Sequence, residues 1–475
     1  MHFSIIFLII CTVLVLSFSV FTTNMNASFG ILNSDSINQS KILFKNATIF
    51  DGKNETLLVG MDVLVTDNII SKIDKSLKIN STNATIIDST GMTLMPGMID
   101  AHSHLSISDH IGHMENAMTW EDLAIRSTIN AKNWLMNGIT TVRDVGGPVF
   151  GLQRAIDSGY IEGPRIYPSG AFLTQTAGHG DLRDLSDRNP ILTGHHDSQL
   201  ERLGFYIIAD GRDMVLTAAR QNLMQGASQI KIMAAGGLLS QHDPIDSRQY
   251  TLDEMKAAVE AASDYGTYVT AHIFKPDAIN RAIEAGLKSL EHAFMIDEPT
   301  MQSVVENDII ISAQMNIISP EFLNTPNLSP TSIQKIIQSQ EKTKDFVPLV
   351  KKYNPKIVFG VDATGTPEDN EKLLQYELYY RSSLFGNFET LRQATSAAGE
   401  ILAMSGLKNP YPDAKLGVIE EGAYADILLI DGNPLEDITL LGAFDKMIYE
   451  GAAEPAETIK LIMKDGKIFK NTISQ

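Results

Sequence analysis

Cysteine is almost absent: Cys11 is the only one in 475 residues. That excludes a disulfide framework and any thiolate-rich metal site. Positive charge is also scarce, with 38 Lys and Arg against 57 Asp and Glu and a formal net charge of −19. Binding a phosphate backbone needs clustered basic residues, so a nucleic-acid partner is excluded. The stretch FSIIFLIICTVLVLSFSVF, residues 3 to 21, lacks every charged side chain. It has the length of a signal-peptide core or a short membrane anchor. No Lys or Arg precedes it, no A-x-A site follows it, and Ile10 stands where lipidation at Cys11 would need a small residue. We expect an exported chain whose residues 1–22 are a cleaved signal peptide or a retained anchor, with a buried N-terminal helix as the alternative. Such an anchor is the only membrane contact the sequence suggests.

Residues 23–40 are polar and rich in Ser and Asn, as a linker would be. The N-x-[ST] pattern occurs at Asn26, Asn38, Asn46, Asn54, Asn80, Asn83 and Asn327, which we read as chance matches in an Asn/Ser-rich chain rather than glycosylation acceptors. Beyond the linker, short strand-like segments run to about residue 95: KILFKNATIF, MDVLVTDNIISKI and ATIIDSTGMTLM, with Asp51-Gly52 as a hairpin signal. The same texture returns after residue 405 in ADILLIDGNP, FDKMIYEG and IKLIMKDGKIF. Segments 41–95 and 406–475 are therefore expected to combine into one small β-sandwich domain.

Between them the pattern alternates. MPGMIDAHSHL, GITTVRDVG, PRIYPSGAFLT, SQIKIMAAGG, TYVTAHIF, KSLEHAFMID, DIIISAQMNI and KIVFGVDATG read as strands, with helices between. One helix opens on the capping box Thr251/Glu254 and stops at Gly266; the next opens on Pro276 and stops at Gly286. Eight such strands across residues 96–405 predict an α/β fold, a (β/α)8 TIM barrel. A chain that is 44% hydrophobic at this length has enough apolar material for that barrel and the smaller unit.

His102 and His104 lie at i and i+2 and so share a face at the end of the first barrel strand, where barrel active sites form. Alone, H-x-H is a weak signal, since two loop histidines would look the same. But His272 ends strand five, His292 ends strand six and Asp362 ends strand eight. Four histidines and a carboxylate converging on one barrel mouth point to a metal site. Lys231 sits between Ile230 and Ile232 in an apolar strand, where a charged amine is costly. A snorkelling or ion-paired lysine would be the plain explanation. A neutral amine could instead take up CO2, and the resulting carbamate can bridge two metals.

The set DAHSHL, IKIMAAGG, AHIF, EHAF, FGVDA and GVIEEGAYADILLIDGNPLED resembles the amidohydrolase superfamily, in particular its imidazolonepropionase-like and Xaa-Pro dipeptidase-like branch, over roughly residues 41 to 470. The resemblance implies two divalent ions, most often Zn2+. His102, His104 and Asp362 would hold one, His272 and His292 the other, with carboxylated Lys231 bridging. It further implies that a metal-bridging hydroxide attacks an amide carbonyl while Asp362 moves the proton to the leaving nitrogen.

Several residues are candidates for substrate contact. His179, in the Gly-rich TAGHGD after strand three, is placed to stabilise an oxyanion or hold a substrate group. His242, Arg248 and Tyr250 lie in the polar loop after strand four, and Arg248 or Tyr250 would suit a free carboxylate. Arg143-Asp144 is read as an internal ion pair. Two departures from the branch pattern stand out. Ile273, Phe274 and Lys275 follow the strand-five histidine, which bears on substrate range, and Val361 replaces a common Thr, a packing change. The expected activity is hydrolysis of a small-molecule amide, a dipeptide (Xaa-Pro or related) or N-acyl amino acid, by a chain that could form a homo-oligomer. Cyclic-amide hydrolysis, lactone or phosphotriester hydrolysis, a non-catalytic scaffold and a surface-anchored binding protein are the alternatives.

Overall fold

The computed structural model describes residues 40–79, 84–196, 198–240, 242–325 and 328–473. The export segment, nearly all of the linker, and the sequons at Asn26, Asn38, Asn80, Asn83 and Asn327 lie outside these residues. Both ends of the described chain meet in one eight-stranded sheet. Its strands are β1 (Lys41–Ile49), β2 (Leu58–Thr66), β3 (Ile69–Asp74), β4 (Thr85–Asp88) and β5 (Met92–Pro96) from the N-terminal side, and β16 (Ile427–Asp431), β17 (Ile459–Lys464) and β18 (Lys467–Asn471) from the C-terminal side. β5 pairs antiparallel with β16 in a register that sets Met95 opposite Leu428. β1 forks: its first half pairs parallel with β4 and its last residues with β5. The shared core includes Phe44, Ile49, Leu94, Ile427 and Leu461.

Two expectations in this region fail. Asp51-Gly52 does not make a two-residue hairpin, because β1 ends at Ile49 and β2 starts at Leu58. Instead the Asp51 carboxylate accepts from the amides of Lys53 and Asn54 at 2.7 and 2.8 Å, which winds a longer loop. FDKMIYEG forms no strand. Its Phe444 and Met447 amides donate to Gln375 O and to the Glu321 carboxylate, so its backbone is satisfied by the barrel rather than by a neighbouring strand.

The remaining strands are parallel: β6 (Met98–Ser103), β7 (Ile139–Asp144), β8 (Arg165–Pro168), β9 (Phe172–Thr174), β10 (Tyr206–Ile208), β11 (Ile230–Met233), β12 (Val269–Ile273), β13 (Ser289–His292), β14 (Ile310–Ser312) and β15 (Ile357–Val358). PRIYPSGAFLT, read as one strand, is broken into β8, which pairs with β7, and β9, which pairs with β10 and β11. Gly170 sits at the break with φ +73°, and a Cβ there would lie 2.7 Å from the Phe150 ring. β10 was not anticipated. The sheets meet at two seams: Ala101 N–H donates to Phe359 O and Asp362 N–H to His102 O, both at 2.9 Å, and Ser228 N–H donates to Pro168 O at 2.7 Å. Apart from β10, which lies outside β9, the parallel strands follow one another in chain order within each sheet, as in a TIM barrel.

The expected helix boundaries hold. Leu252–Asp264 carries the Thr251/Glu254 capping box, and Pro276–Ala285 ends on Gly286 at φ +95°. Each returns the chain to the start of the next strand. Successive strand ends thus fall at one rim.

Candidate metal centre

That rim brings together residues far apart in sequence. One ligand atom from each of His102, His104 and Asp362 fits within 4.8 Å of the other two. Asp362 Oδ1 is 3.3 Å from His102 Nε2 and 3.4 Å from His104 Nε2, and its Oδ2 faces His292 Nδ1 at 4.0 Å. The His292 ring centroid lies 5.0 Å from that of His102 and 4.6 Å from that of His272. Parallel pairing of β12 with β13 accounts for the last distance, since Ile273 is level with His292 and His272 with Glu291.

The hydrogen bonds settle how each ring is turned. His102 Nδ1 donates to Glu291 Oε2 at 2.7 Å, His104 Nδ1 to Gly146 O at 2.9 Å, His292 Nδ1 to Gln314 Oε1 at 2.7 Å, and His272 Nε2 to Gly236 O at 3.3 Å. Each acceptor fixes the proton on one nitrogen and leaves a lone pair on the other, the form in which histidine binds metal. Burial favours the neutral form at three of the rings, lowering His292 to about 3, His272 well below its ordinary value and His104 as well. At His102 burial is outweighed by the Asp362 and Glu291 carboxylates, which raise it.

Lys231 points into the same space from β11. It is 1% exposed, and its amine has no hydrogen bond or ion pair among the described residues. Burial is the main cause that brings its pKa down to about 8, so the uncharged amine is within easy reach near neutral pH. Two ligand candidates also sit at strained backbone, His292 at φ +71° and Asp362 at φ +58°. Such positions cost about 1–3 kcal/mol each and collect at functional sites.

His179 joins the group. Its ring stacks on His272 with centroids 3.9 Å apart, and its Nδ1 lies 2.9 Å from Ser240 Oγ. A Cβ at position 237 would fall 1.9 Å from the His179 ring, so the close approach depends on Gly237. Burial is the leading cause of its pKa of about 4.

The other substrate candidates are not brought there by any contact. Arg248 is at the surface, 3.2 Å from Asp277 Oδ2. His242 Nε2 donates to Arg183 O at 3.0 Å. Tyr250, at φ +58°, has its hydroxyl buried without a partner in the apolar core. Arg143 and Asp144 do not pair with each other, because consecutive strand residues face opposite ways. Arg143 turns inward to Glu291 Oε1 at 2.7 Å, while Asp144 accepts from Leu105 N–H and Gly146 N–H. Burial pushes Asp144 up to about 8.

Sequence reasoning missed the groups behind the histidines. Glu291 takes His102 on one oxygen, and Arg143 and Thr270 on the other. Burial alone would raise its pKa, but the Arg143 charge and then His102 outweigh it and hold the carboxyl well below its usual range. Asp100 accepts from His102 N–H at 3.0 Å, Val361 N–H at 3.1 Å and Trp134 Nε1–H at 2.9 Å, tying the first strand to the last. The available signal was Glu291 itself, a carboxylate directly before the strand-ending His292 in SLEH, a strand that is buried throughout.

Comparison with known proteins identifies the family. The amidohydrolase family model matches residues 93–469. An ochratoxinase from Aspergillus niger is 30% identical over 424 residues, covering 86% of this chain and 82% of that protein. A crystal structure of a prolidase complexed with N-methylphosphonate-L-proline superposes with a TM-score of 0.80 at 31% identity, covering 91% of this chain and all (100%) of the other. A Xaa-Pro dipeptidase with methionine bound in its active site gives 0.75 at 29% identity, again covering 91% and 100%. With a family model spanning most of its length and relatives that match it nearly end to end, the chain belongs to the amidohydrolase family and is a hydrolase acting on carbon–nitrogen bonds.

Proposed function

We propose that this protein is an exported, binuclear metal hydrolase that cleaves the amide bond of a dipeptide or N-acyl amino acid. Amidohydrolases generally use divalent metal ions, and the donors fit them. His102, His104 and Asp362 would hold one ion and His272 and His292 the other, with carboxylated Lys231 shared and zinc the first candidate. The carrying observation is that four histidines clustered at one rim each have one ring nitrogen engaged by an acceptor, with the second nitrogens of His102 and His104 both turned to Asp362 Oδ1. When bound, the ions supply Lewis acidity that polarises a carbonyl and brings a water pKa towards about 7.

The chain's own groups do the rest. Asp362 takes the proton lost by the attacking water and returns it to the leaving nitrogen. Glu291 and Gln314 keep His102 and His292 in the tautomers that bind. His179 offers its second ring nitrogen to the substrate carbonyl as charge develops there. In this reading the barrel spans residues 96–405, and the fork at β1 folds the terminal sheet into the two layers of a sandwich. The prolidase and Xaa-Pro dipeptidase neighbours favour a substrate with a C-terminal proline or related residue.

A library of dipeptides and N-acyl amino acids, assayed for amine release with zinc and bicarbonate supplied, tests this reading. Turnover of Xaa-Pro or N-acyl members supports it, and no release across the library refutes it. Metal analysis of the same sample should return about two ions per chain.

A further inference from the structure

The helix Pro330–Thr343 is inserted between β14 and β15 and takes no part in the metal cluster. Its Lys335 is only 6% exposed, which is unusual for an amine. That amine donates to Gly237 O at 3.0 Å and Ser240 O at 2.7 Å, approaches Ser240 Oγ at 3.4 Å, and stands 3.8 Å from Asp243 Oδ1. All of these partners belong to the loop that follows β11.

Two separate paths lead from that amine to His179, one of hydrogen bonds through Ser240 and one that starts with the ion pair to Asp243. The first runs to the ring, through Ser240 Oγ at 2.9 Å from His179 Nδ1. The second runs to the backbone. Asp243 Oδ2 accepts from Gln249 Nε2 at 3.2 Å, and Gln249 Oε1 accepts from His179 N–H at 2.8 Å. Asp243 Oδ2 also accepts from Gly237 N–H at 2.8 Å, at the glycine that makes room for the His179 ring. Lys342, two turns along the helix, reaches the same loop only at its exposed Asp246, at 3.1 Å.

We propose that Lys335 is a positioning residue for His179: from an inserted helix it fixes the loop after β11, and through Ser240 and Asp243 it fixes both the ring and the backbone of a site histidine. A desolvated amine satisfied by two carbonyls and a carboxylate holds those groups together more firmly than a solvated one. With Nδ1 engaged by Ser240, Nε2 is the ring atom left for a substrate. This rests on the reading of His179 as a substrate-facing group.

A double-mutant cycle with Lys335→Met and His179→Gln tests the proposal on the full chain, with metal content measured for every variant. Lys335→Met should lower kcat/KM by about 10- to 100-fold at unchanged metal content, and by less than about 2-fold in the His179→Gln background. Lys335→Arg should recover part of the loss, and Lys342→Met should cost less than about 3-fold. Additive losses in the cycle overturn the proposal. Amide hydrogen exchange provides a readout independent of turnover. In Lys335→Met, residues 236–250 should lose protection while β12 and β13 keep theirs. If the wild-type protein hydrolyses none of the library, the substrate reading fails and Lys335 is judged on exchange alone, where unchanged protection of 236–250 refutes its role.

Discussion

Two buried arginine–carboxylate pairs invite comparison, because they look alike and do different things. Below the histidines, Arg143 and Glu291 are both fully buried and 2.7 Å apart. Where the barrel meets the terminal sheet, Arg165 lies 3.0 Å from Asp426 and 2.7 Å from Asp465, with its guanidinium over the rings of Tyr424 and Tyr411. Burial and geometry do not separate them, and a buried ion pair is by itself weak evidence for function. The carboxylate's other contacts separate them. Glu291 hands its second oxygen to His102, while Asp426 spends its first on the Asp465 backbone N–H. One pair orients a candidate ligand; the other closes a turn.

This contrast can be broken by experiment. The largest effect should come from the cluster itself: Asp362→Asn should cut kcat/KM by about 10²- to 10⁴-fold even in samples that keep their metal, read by steady-state kinetics beside metal analysis. Full activity in that variant would remove Asp362 from the proton path. Arg165→Met leaves Asp426 buried and uncompensated, so chemical denaturation should show a loss of about 3 kcal/mol with activity per folded molecule unchanged. Glu291→Gln should give the opposite pattern, with metal affinity down about 10- to 100-fold in a direct titration and stability little altered. If the two variants behave alike, the distinction fails.

The smallest effect concerns a carboxyl at neither pair. Burial pushes Glu371 up to about 7, although Asn137 donates to it. The folded state therefore holds a proton that the unfolded chain releases, so stability is complete below about pH 4.5 and is lost as pH rises through about 7. Glu371→Gln should gain about 2 kcal/mol over wild type at pH 8 and nothing at pH 4, measured by urea melts at both values.

What could be read from sequence follows how local each signal is. His102, His104, His272, His292 and Asp362 were visible because each stands where an apolar run gives out. Lys231 was visible because it interrupts one. The capped helices were visible because a capping box spans four residues. The supports for these groups were not, since His102 and Glu291 are 189 positions apart and Arg143 and Glu291 are 148 apart. Pairing Arg143 with Asp144 chose the neighbour in sequence over the neighbour in space. Arg248 and Tyr250 suffered likewise, because a polar loop does not announce which side chains turn outwards. The break between β8 and β9 falls at Gly170, which has positive φ and no room for a Cβ beside Phe150, a closeness between different elements that the local sequence does not carry.

The pairing of β5 with β16 also has a consequence in time. On the ribosome, Met92–Pro96 emerges long before Ile427–Asp431, and residues 97 to 426 must be made between them. At about 5–20 residues per second, β5 therefore waits tens of seconds with an unpaired, apolar edge. The barrel strands that follow can find their partners in order as they appear, but the sheet from which the barrel is entered and left is completed last. A nascent chain halted before β16 would hold every candidate ligand and still expose the edge most prone to pair with another molecule, so chaperone demand should peak late in synthesis.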